Sequence, residues 1–269
     1  MQLYLANITT ETKTAQRLSP HFNEQFNNFL LPSVNGQVEI KLNELYVLES
    51  YHYVRSAKWM LPLFKLFKGF LLDSGAFTFM SSVKDKSINW EQYINDYGNY
   101  VKENNIEYYL ELDIDVIVGL KEVERLRKKL ETIVGRKCIP VWHKSRGIEN
   151  YKQLVKEYDY IAIGGIVTQE IKRSQYDVFY TLLKIAKENN CKVHGLGFTN
   201  LKGLEKYKFY SVDSTAWLSG NKFGGVYHFN GVEMIKQNKK IGQKIKPNEV
   251  AVQNFVEWVR YLKYAEVNL

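Results

Sequence analysis

The chain has 269 residues, of which 45% are hydrophobic, and it carries a formal net charge of +8 at pH 7. This size allows one domain over residues 1–269 with a full hydrophobic core, and no stretch approaches the roughly 20 apolar residues that a membrane-spanning helix needs. Two cysteines, Cys138 and Cys191, are too few for a disulfide framework or an all-protein zinc site. We therefore expect no metal, no cofactor and no membrane partner.

The charge and the first residues bear on partner and location. Positive charge favours a polyanionic partner such as a nucleic acid, because Lys and Arg displace counterions from phosphates. A lysine-rich composition also raises the charge without any such partner. Residues 1–4 lack a basic segment followed by a long apolar run, so we expect no signal peptide and a cytoplasmic protein. The sequence leaves open whether the chain forms a homodimer.

Eight short apolar runs, each typical of a parallel strand buried on both faces, recur along the chain. They cover residues 3–8, 44–49, 69–72, 108–112, 138–142, 160–163, 193–196 and 210–212. Amphipathic stretches between them predict helices, as in the stripe Trp90, Ile94, Tyr97 and Val101 with Asn89 as its cap. This alternation predicts the α/β class and a (β/α)8 TIM barrel, with a doubly wound open sheet as the main alternative.

The C-terminal part departs from this alternation. Residues 218–234 are rich in glycine and predict a loop and a hairpin after the last strand, with the hairpin at residues 226–231. A final apolar stripe predicts a C-terminal helix with Asn248 as its cap. Its members are Val252, Phe255, Val256, Val259 and Leu262.

Polar or glycine-rich clusters follow six of the predicted strands. They are Asp73-Ser74-Gly75, Asp113-Ile114-Asp115, His143-Lys144-Ser145, Gly164-Gly165, His194-Gly195-Leu196-Gly197 and Asp213-Ser214-Thr215. Each cluster alone is typical of a helix cap or a tight turn. Because barrel enzymes place their active sites at the carboxyl ends of the strands, the shared position of the clusters indicates a functional site.

Five segments between residues 69 and 231 stand out by their order and spacing. They are residues 69–77 (GFLLDSGAF), 160–166 (YIAIGGI), 194–197 (HGLG), 209–214 (FYSVDS) and 225–231 (GVYHFNG). In this order they resemble the DSGGFQ segment, the strand ending in GG, the MGVG turn, the segment with the nucleophilic aspartate and the following hairpin of tRNA-guanine transglycosylases. The resemblance implies a barrel enzyme that exchanges guanine in a nucleic acid by double displacement at the anomeric carbon of ribose.

The resemblance implies roles for the aspartates. Asp213 matches the nucleophile, and Asp73 matches the general acid/base, in the logic of a retaining glycosidase. Asp113 matches the residue that accepts from the N1–H and the 2-amino group of a guanine-type base, and Asp115 is the alternative for that role. Gly165 has no side chain and so lets its backbone N–H approach the base carbonyl.

The other base-binding candidates lie in the same matched segments or beside them. Ser74, Gly164 and Gly195 belong to the segments. His143 stands where the family commonly has a glutamine that contacts the base, and His194 stands where it has a methionine. Either histidine tunes the pocket for a different base or is simply a hydrogen-bonded polar residue.

Two departures from the family bear on the nucleic acid. No cysteine follows Cys191, so the zinc site of tRNA-acting members is absent, and residues 214–218 (STAWL) lack the arginine that helps read the anticodon loop. The compact, zinc-free build resembles a branch found in phages and bacteria that inserts 7-deazaguanine derivatives into DNA. We therefore favour DNA over tRNA as partner, with a free 7-deazaguanine base as co-substrate and a target base that leaves the stack.

Lysines after the last strand form a strip suited to a phosphate backbone. The strip comprises Lys222, Lys236, Lys239, Lys240, Lys244 and Lys246. Trp217 and Phe223 are candidates for stacking on exposed bases. An ordinary solvated surface for the lysines and core packing for the two rings are the alternatives.

Two other functions remain open at this stage. One is a metabolic barrel that uses Gly164-Gly165 and Gly195-Leu196-Gly197 as a phosphate cradle. The other is a catalytically silent barrel that binds nucleic acid. The first 66 residues match no motif and are candidates for determining target choice.

Overall fold

A computed structural model describes residues 1–8, 17–33, 36–57, 60–76, 88–219, 224–238, 244 and 246–269. Its strands are β1 (Gln2–Ala6), β2 (Phe22–Asn23), β3 (Asn28–Ser33), β4 (Gly36–Lys41), β5 (Tyr46–Ser50), β6 (Gly69–Asp73), β7 (Tyr108–Tyr109), β8 (Val141–Trp142), β9 (Tyr160–Ile163), β10 (Lys192–Gly195), β11 (Ser211–Ser214), β12 (Gly225–Phe229) and β13 (Met234–Asn238). Eight of them form a parallel sheet in the order β7-β6-β5-β1-β11-β10-β9-β8.

The two outer strands of this sheet are joined to each other. A parallel bridge pairs Leu110, directly after β7, with Ile139, directly before β8. Glu111 donates its N–H to the Ile139 carbonyl at 3.0 Å, and Ile139 donates to Tyr109 at 2.8 Å. The sheet therefore curls into a (β/α)8 barrel. All eight predicted strands are confirmed, and the open-sheet alternative does not fit.

Helices lie in most of the connections between the barrel strands. They are α1 (Tyr51–Val54), α2 (Leu61–Phe64), α3 (Trp90–Glu103), α4 (Asp115–Val118), α5 (Leu120–Val134), α6 (Gly147–Glu157), α7 (Val178–Glu188), α8 (Leu201–Lys206) and α9 (Pro247–Asn268). The side chain of Asn89 accepts from the N–H of Gln92 at 3.0 Å and caps α3 as predicted. No helix in the described part of the chain combines the length and hydropathy that crossing a bilayer requires.

A small antiparallel sheet, β2-β3-β4, occupies the connection between the first two barrel strands. Its apolar side chains Phe29, Leu31 and Ile40 are buried in the main core, and the rings of Phe29 and Phe255 meet with centroids 6.1 Å apart. No element was predicted here. The Asn35-Gly36 pair between two β-type runs is typical of a hairpin and is the sequence signal for this sheet.

The hairpin after the last barrel strand and the C-terminal helix are both confirmed. Strands β12 and β13 pair in antiparallel register, and α9 packs against β1, β3 and β12. The buried amide of Asn254 ties these parts together, since it accepts from the Tyr227 N–H at 2.8 Å and donates to the Gly225 carbonyl at 2.9 Å. The predicted cap of α9 is wrong by two residues: Lys246 is the N-cap, and Asn248 lies inside the first turn after Pro247.

Candidate active site

Every predicted cluster lies at the carboxyl end of a barrel strand. Asp73 ends β6, and His194 and Asp213 lie at the ends of β10 and β11. His143 follows β8 directly, and Asp113 lies four residues after the end of β7. Parallel strands bring these ends to one rim of the barrel. The charges of both Asp213 and Asp113 act on the carboxyl of Asp73, so the three predicted aspartates share one site.

Asp213 is held through one of its two carboxylate oxygens. Its Oδ1 accepts from the backbone N–H of Gly197 at 2.6 Å and from His194 Nε2 at 3.2 Å. Gly197 adopts a φ of +66°, a conformation that favours glycine. No donor in the described part of the chain bonds Oδ2, and the Asp213 side chain is 11% exposed. One oxygen is thus fixed, and the other takes no hydrogen bond from the described residues.

A chain of hydrogen bonds continues from Asp213 into the barrel. His194 Nδ1 lies 2.6 Å from Ser211 Oγ, and that oxygen lies 2.5 Å from the Tyr160 hydroxyl. With the ring proton on Nε2 and donated to Asp213, Nδ1 accepts from Ser211, and Ser211 accepts from Tyr160. The three groups thereby fix the orientation of the carboxylate.

This position corrects the base-binding prediction for His194. Its side chain has no exposed surface, because the alternation of β10 turns it into the barrel interior. Gly195, the second candidate in this segment, is also buried, and a Cβ there would lie 3.1 Å from the Cβ of Phe198. Both residues lie beneath the rim, and His194 reaches it through its hydrogen bond to Asp213.

Asp73 has the environment of a general acid. Burial raises its pKa to about 6, with the charges of Asp213 and Asp113 adding to that effect against an opposing hydrogen bond from Gly75. The Gly75 N–H donates to Asp73 Oδ2 at 3.1 Å. The carboxyl therefore changes protonation state close to neutral pH.

Two buried hydroxyls lie beside Asp73. Ser74 follows it in the chain, and Ser50 at the end of β5 is its register partner on the neighbouring strand. Neither hydroxyl has a hydrogen-bond partner among the described residues. Ser74 was predicted as a base contact. Ser50 was missed, because it ends a strand without belonging to a recognisable motif.

Arg146 organises the other half of the rim, and no motif in the sequence predicted its role. Its guanidinium donates to Glu111 at 2.8 Å, to Asp113 at 2.8 Å and to Asp115 at 3.1 Å. The Arg146 side chain is only 2% exposed, and Arg127 forms a second buried pair with Glu111. Asp113 and Asp115, the two candidates for the aspartate that accepts hydrogen bonds from the base, both belong to this ion-pair network.

His143 is a cation within the same network. Burial alone lowers its pKa, but hydrogen bonds to Asp113 at 2.6 Å and Glu170 at 2.9 Å outweigh it and raise the pKa to about 9. The glycine pair makes room for these side chains. A Cβ on Gly164 would lie 2.7 Å from the His143 ring, and one on Gly165 would lie 2.7 Å from the Glu170 carboxylate.

Three possible metal ligands meet in this network. One oxygen each of Asp113 and Asp115 and one nitrogen of His143 lie within 4.8 Å of one another. Arg146 already bonds both carboxylates, and His143 is itself cationic. A metal ion would have to displace these fixed positive charges, so the arrangement favours an ion-pair network.

The predicted nucleic-acid contacts have different outcomes. Trp217 is 1% exposed and donates its indole N–H to the Ala6 carbonyl at 2.9 Å, so the prediction that it stacks on exposed bases is corrected to a core role. Lys236 and Lys244 are exposed, and so is Lys246, which pairs with Glu249. The other members of the strip, Lys222, Lys239 and Lys240, and the second ring, Phe223, lie outside the described residues.

Comparisons with known proteins show no relative by sequence. No protein-family model matches the chain, and no curated protein matches it. A proposed fructose-1,6-biphosphate aldolase from Coccidioides immitis is 10% identical with a TM-score of 0.49, over 84% of this chain and 85% of that one.

A second solved structure is the carboxyl transferase domain of Rhizobium etli pyruvate carboxylase. It is 12% identical with a TM-score of 0.45, over 98% of this chain but only 48% of that one. This chain therefore spans about half the length of the carboxyl transferase chain. Likenesses this distant carry no conclusion about the reaction, and the barrel assignment rests on the strand pairing itself. The resemblance to tRNA-guanine transglycosylases stays a prediction from the sequence.

Proposed function

We propose that this chain is a glycosyltransferase that replaces guanine in a nucleic acid, with DNA favoured over tRNA, by a free 7-deazaguanine derivative. The observation that carries the proposal is the contrast between two neighbouring carboxyl groups. Asp213 offers one free oxygen while N–H donors hold the other, and Asp73 has a pKa of about 6. Carboxyl groups whose environments differ in this way are suited to separate nucleophile and acid roles.

In the first step, Asp213 Oδ2 attacks the anomeric carbon through an oxocarbenium-like transition state. The bond from this carbon to the purine breaks, its electron pair leaves with the base, and Asp73 gives the base a proton. In the second step, the incoming base gives its proton to Asp73 and attacks the same carbon. The ester bond to Asp213 then breaks, and the carboxylate is restored.

The donors on Asp213 Oδ1 support the second step. Negative charge returns to this carboxylate when the ester breaks, and the Gly197 N–H and His194 Nε2 are already placed to receive it. Preorganised donors of this kind lower a barrier without reorganising during the reaction.

Asp113 is the proposed acceptor for the guanine-type base. His143 and Arg146 occupy one acceptor position on each of its oxygens, and each carboxylate oxygen has a second position for the N1–H or the 2-amino group. Gly165 lies at the same rim, and its backbone N–H would meet the base carbonyl. These contacts require a base that has left the stack.

The alternative of a phosphate cradle in the glycine turns has less support. The Gly197 N–H already donates to the Asp213 carboxylate, and the Gly164 N–H donates to the Trp142 carbonyl at 2.9 Å. A phosphate would compete with a neighbouring negative charge for these donors. A tRNA substrate and a silent nucleic-acid-binding barrel remain alternatives that experiment separates.

The direct test incubates the protein separately with DNA and with tRNA, each with a panel of 7-deazaguanine bases, and weighs the digested nucleosides by mass spectrometry. Deazaguanine in the deoxynucleoside pool supports the proposal as stated. Deazaguanine in the ribonucleoside pool alone moves the substrate to tRNA. No exchange in either pool, with binding of bases and polynucleotide intact, would overturn the enzyme proposal in favour of the silent barrel.

A further inference from the structure

A groove of about 550 Å³ opens at the amino-terminal ends of β10 and β11. It lies at the end of the barrel opposite to the aspartates, since Lys192 begins β10 and Tyr210 directly precedes β11. We call it the lysine groove. The side chains that give it its character are Tyr180, Lys184, Lys187, Lys192, Lys206 and Lys208.

The positive charge of the lysine groove is largely uncompensated. Lys206 pairs with Asp177 at 2.8 Å, whereas the other four ammonium groups form no ion pair with any carboxylate in the described part of the chain. All five lysines are exposed. Cationic side chains gathered around a concave surface raise the local concentration of anions.

Aromatic rings are interleaved with these lysines. The ammonium of Lys192 lies 4.7 Å from the centroid of the Tyr210 ring, and that of Lys206 lies 5.2 Å from the centroid of Tyr180. Tyr180 is 49% exposed. Lysines beside an exposed ring around a groove are the combination with which proteins bind the backbone and bases of single strands.

We propose that the lysine groove binds the phosphate backbone of single-stranded nucleic acid. This site goes beyond the proposed reaction, because no step at the barrel mouth uses it. For a strand engaged in base exchange, the groove would hold phosphates remote from the target nucleotide. For a chain without exchange activity, it would still bind the strand.

The test compares two charge-reversed variants with the unmodified protein. The groove variant carries Lys184→Glu, Lys187→Glu and Lys208→Glu. The control variant carries the same net charge on the other side of the barrel through Lys65→Glu, Lys102→Glu and Lys128→Glu, at exposed positions that form no ion pair with the described residues. Thermal unfolding followed by circular dichroism checks that both variants fold.

Fluorescence anisotropy with a labelled oligothymidylate of about 30 nucleotides measures binding at several salt concentrations. We expect the groove variant to bind about tenfold or more weakly at low salt, and the slope of log K against log salt to shrink by about 2. The control variant should keep the slope of the unmodified protein. Equal weakening of both variants, or no binding by the unmodified protein, would overturn the proposal.

Two further experiments test whether another anion occupies the groove and whether the protein exchanges bases. Vesicles containing phosphatidylserine and an oligoglutamate peptide are offered to the same three proteins. Groove-dependent binding of either one without groove-dependent binding of oligothymidylate contradicts the proposal. Base exchange on a short oligonucleotide is measured in parallel. Its absence counts against the proposed function alone, because the anisotropy result does not depend on turnover.

Discussion

The two acidic halves of the barrel mouth are stabilised in different ways. Around Asp113, the partners are Arg146 and cationic His143, and they bond both carboxylate oxygens. This half is a closed ion-pair network in which each charge depends on the others. Its stability comes from pairing buried charges, and loss of one partner leaves the rest uncompensated.

Around Asp213, two N–H donors converge on a single oxygen. One is the backbone of Gly197 and the other is the imidazole of His194. The second oxygen takes no hydrogen bond from the described residues. Under the proposed function, bond making belongs to the Asp213 half, and the Asp113 half positions and recognises the base.

Removing the nucleophile should give the largest effect on activity. Asp213→Asn keeps the size of the side chain but removes the negative charge, so we expect exchange to fall at least about 1000-fold. Labelled-base incorporation measures the rate, and Asp159→Asn, at an exposed aspartate away from the rim, is the matched control. Undiminished exchange in the first variant would remove Asp213 from the nucleophile role.

Removing Arg146, the central cation of the Asp113 half, should lower stability. Arg146→Met leaves Glu111, Asp113 and Asp115 without their shared partner, and we expect the free energy of unfolding in urea to fall by about 3–5 kcal/mol. Arg125→Met, which removes an exposed arginine paired with Glu91 and Glu122, should cost less than about 1 kcal/mol. Similar losses in both variants would contradict the closed-network description.

The pKa of Asp73 predicts a pH dependence for the first chemical step. Because the folded-state pKa is raised to about 6, about a tenth of the carboxyl groups still carry a proton at pH 7. Single-turnover release of guanine should therefore slow as pH rises through about 6, when the proton donor is lost. In Asp73→Asn the release should be about 100-fold slower and nearly independent of pH. An unchanged profile in that variant would assign the acid role elsewhere.

The smallest expected effect concerns the hydrogen-bonded chain of His194, Ser211 and Tyr160 that orients Asp213. Ser211→Ala removes the partner of His194 Nδ1 and allows the ring to adopt a second tautomer, so kcat should fall about tenfold while KM stays unchanged. Tyr108→Phe is the matched control, since the Tyr108 ring lies 5.9 Å from Tyr160 without bonding Ser211. A rise in KM alone, or an equal effect of both variants, would reduce Ser211 to a packing residue.

The sequence alone predicted the barrel because each strand is a short apolar run with helical periodicity on either side. The run at residues 160–163 coincides with β9. The sheet β2-β3-β4 was not predicted. A helix was expected after every strand, so the turn signal at Asn35-Gly36 was not used. Local pattern therefore predicts regular repeats better than an insertion into them.

The positions of the aspartates were also predictable, since the carboxyl ends of parallel strands meet at one rim. Their partners were not. Arg146 meets Glu111 across 35 positions of the chain, and His143 meets Glu170 across 27, so neither pair leaves a local spacing in the sequence. The burial of Trp217 depends likewise on its contacts with Ala6 and with Phe255 in α9.

The central claim is that Asp213 forms a covalent bond to the sugar of the nucleic acid. The most direct measurement incubates the protein with an oligonucleotide in the absence of an incoming base, quenches it with acid and maps the adduct by peptide mass spectrometry. The account predicts an adduct on the peptide that contains Asp213 and none in Asp213→Asn. An adduct on another residue, or base exchange without any adduct, would contradict it.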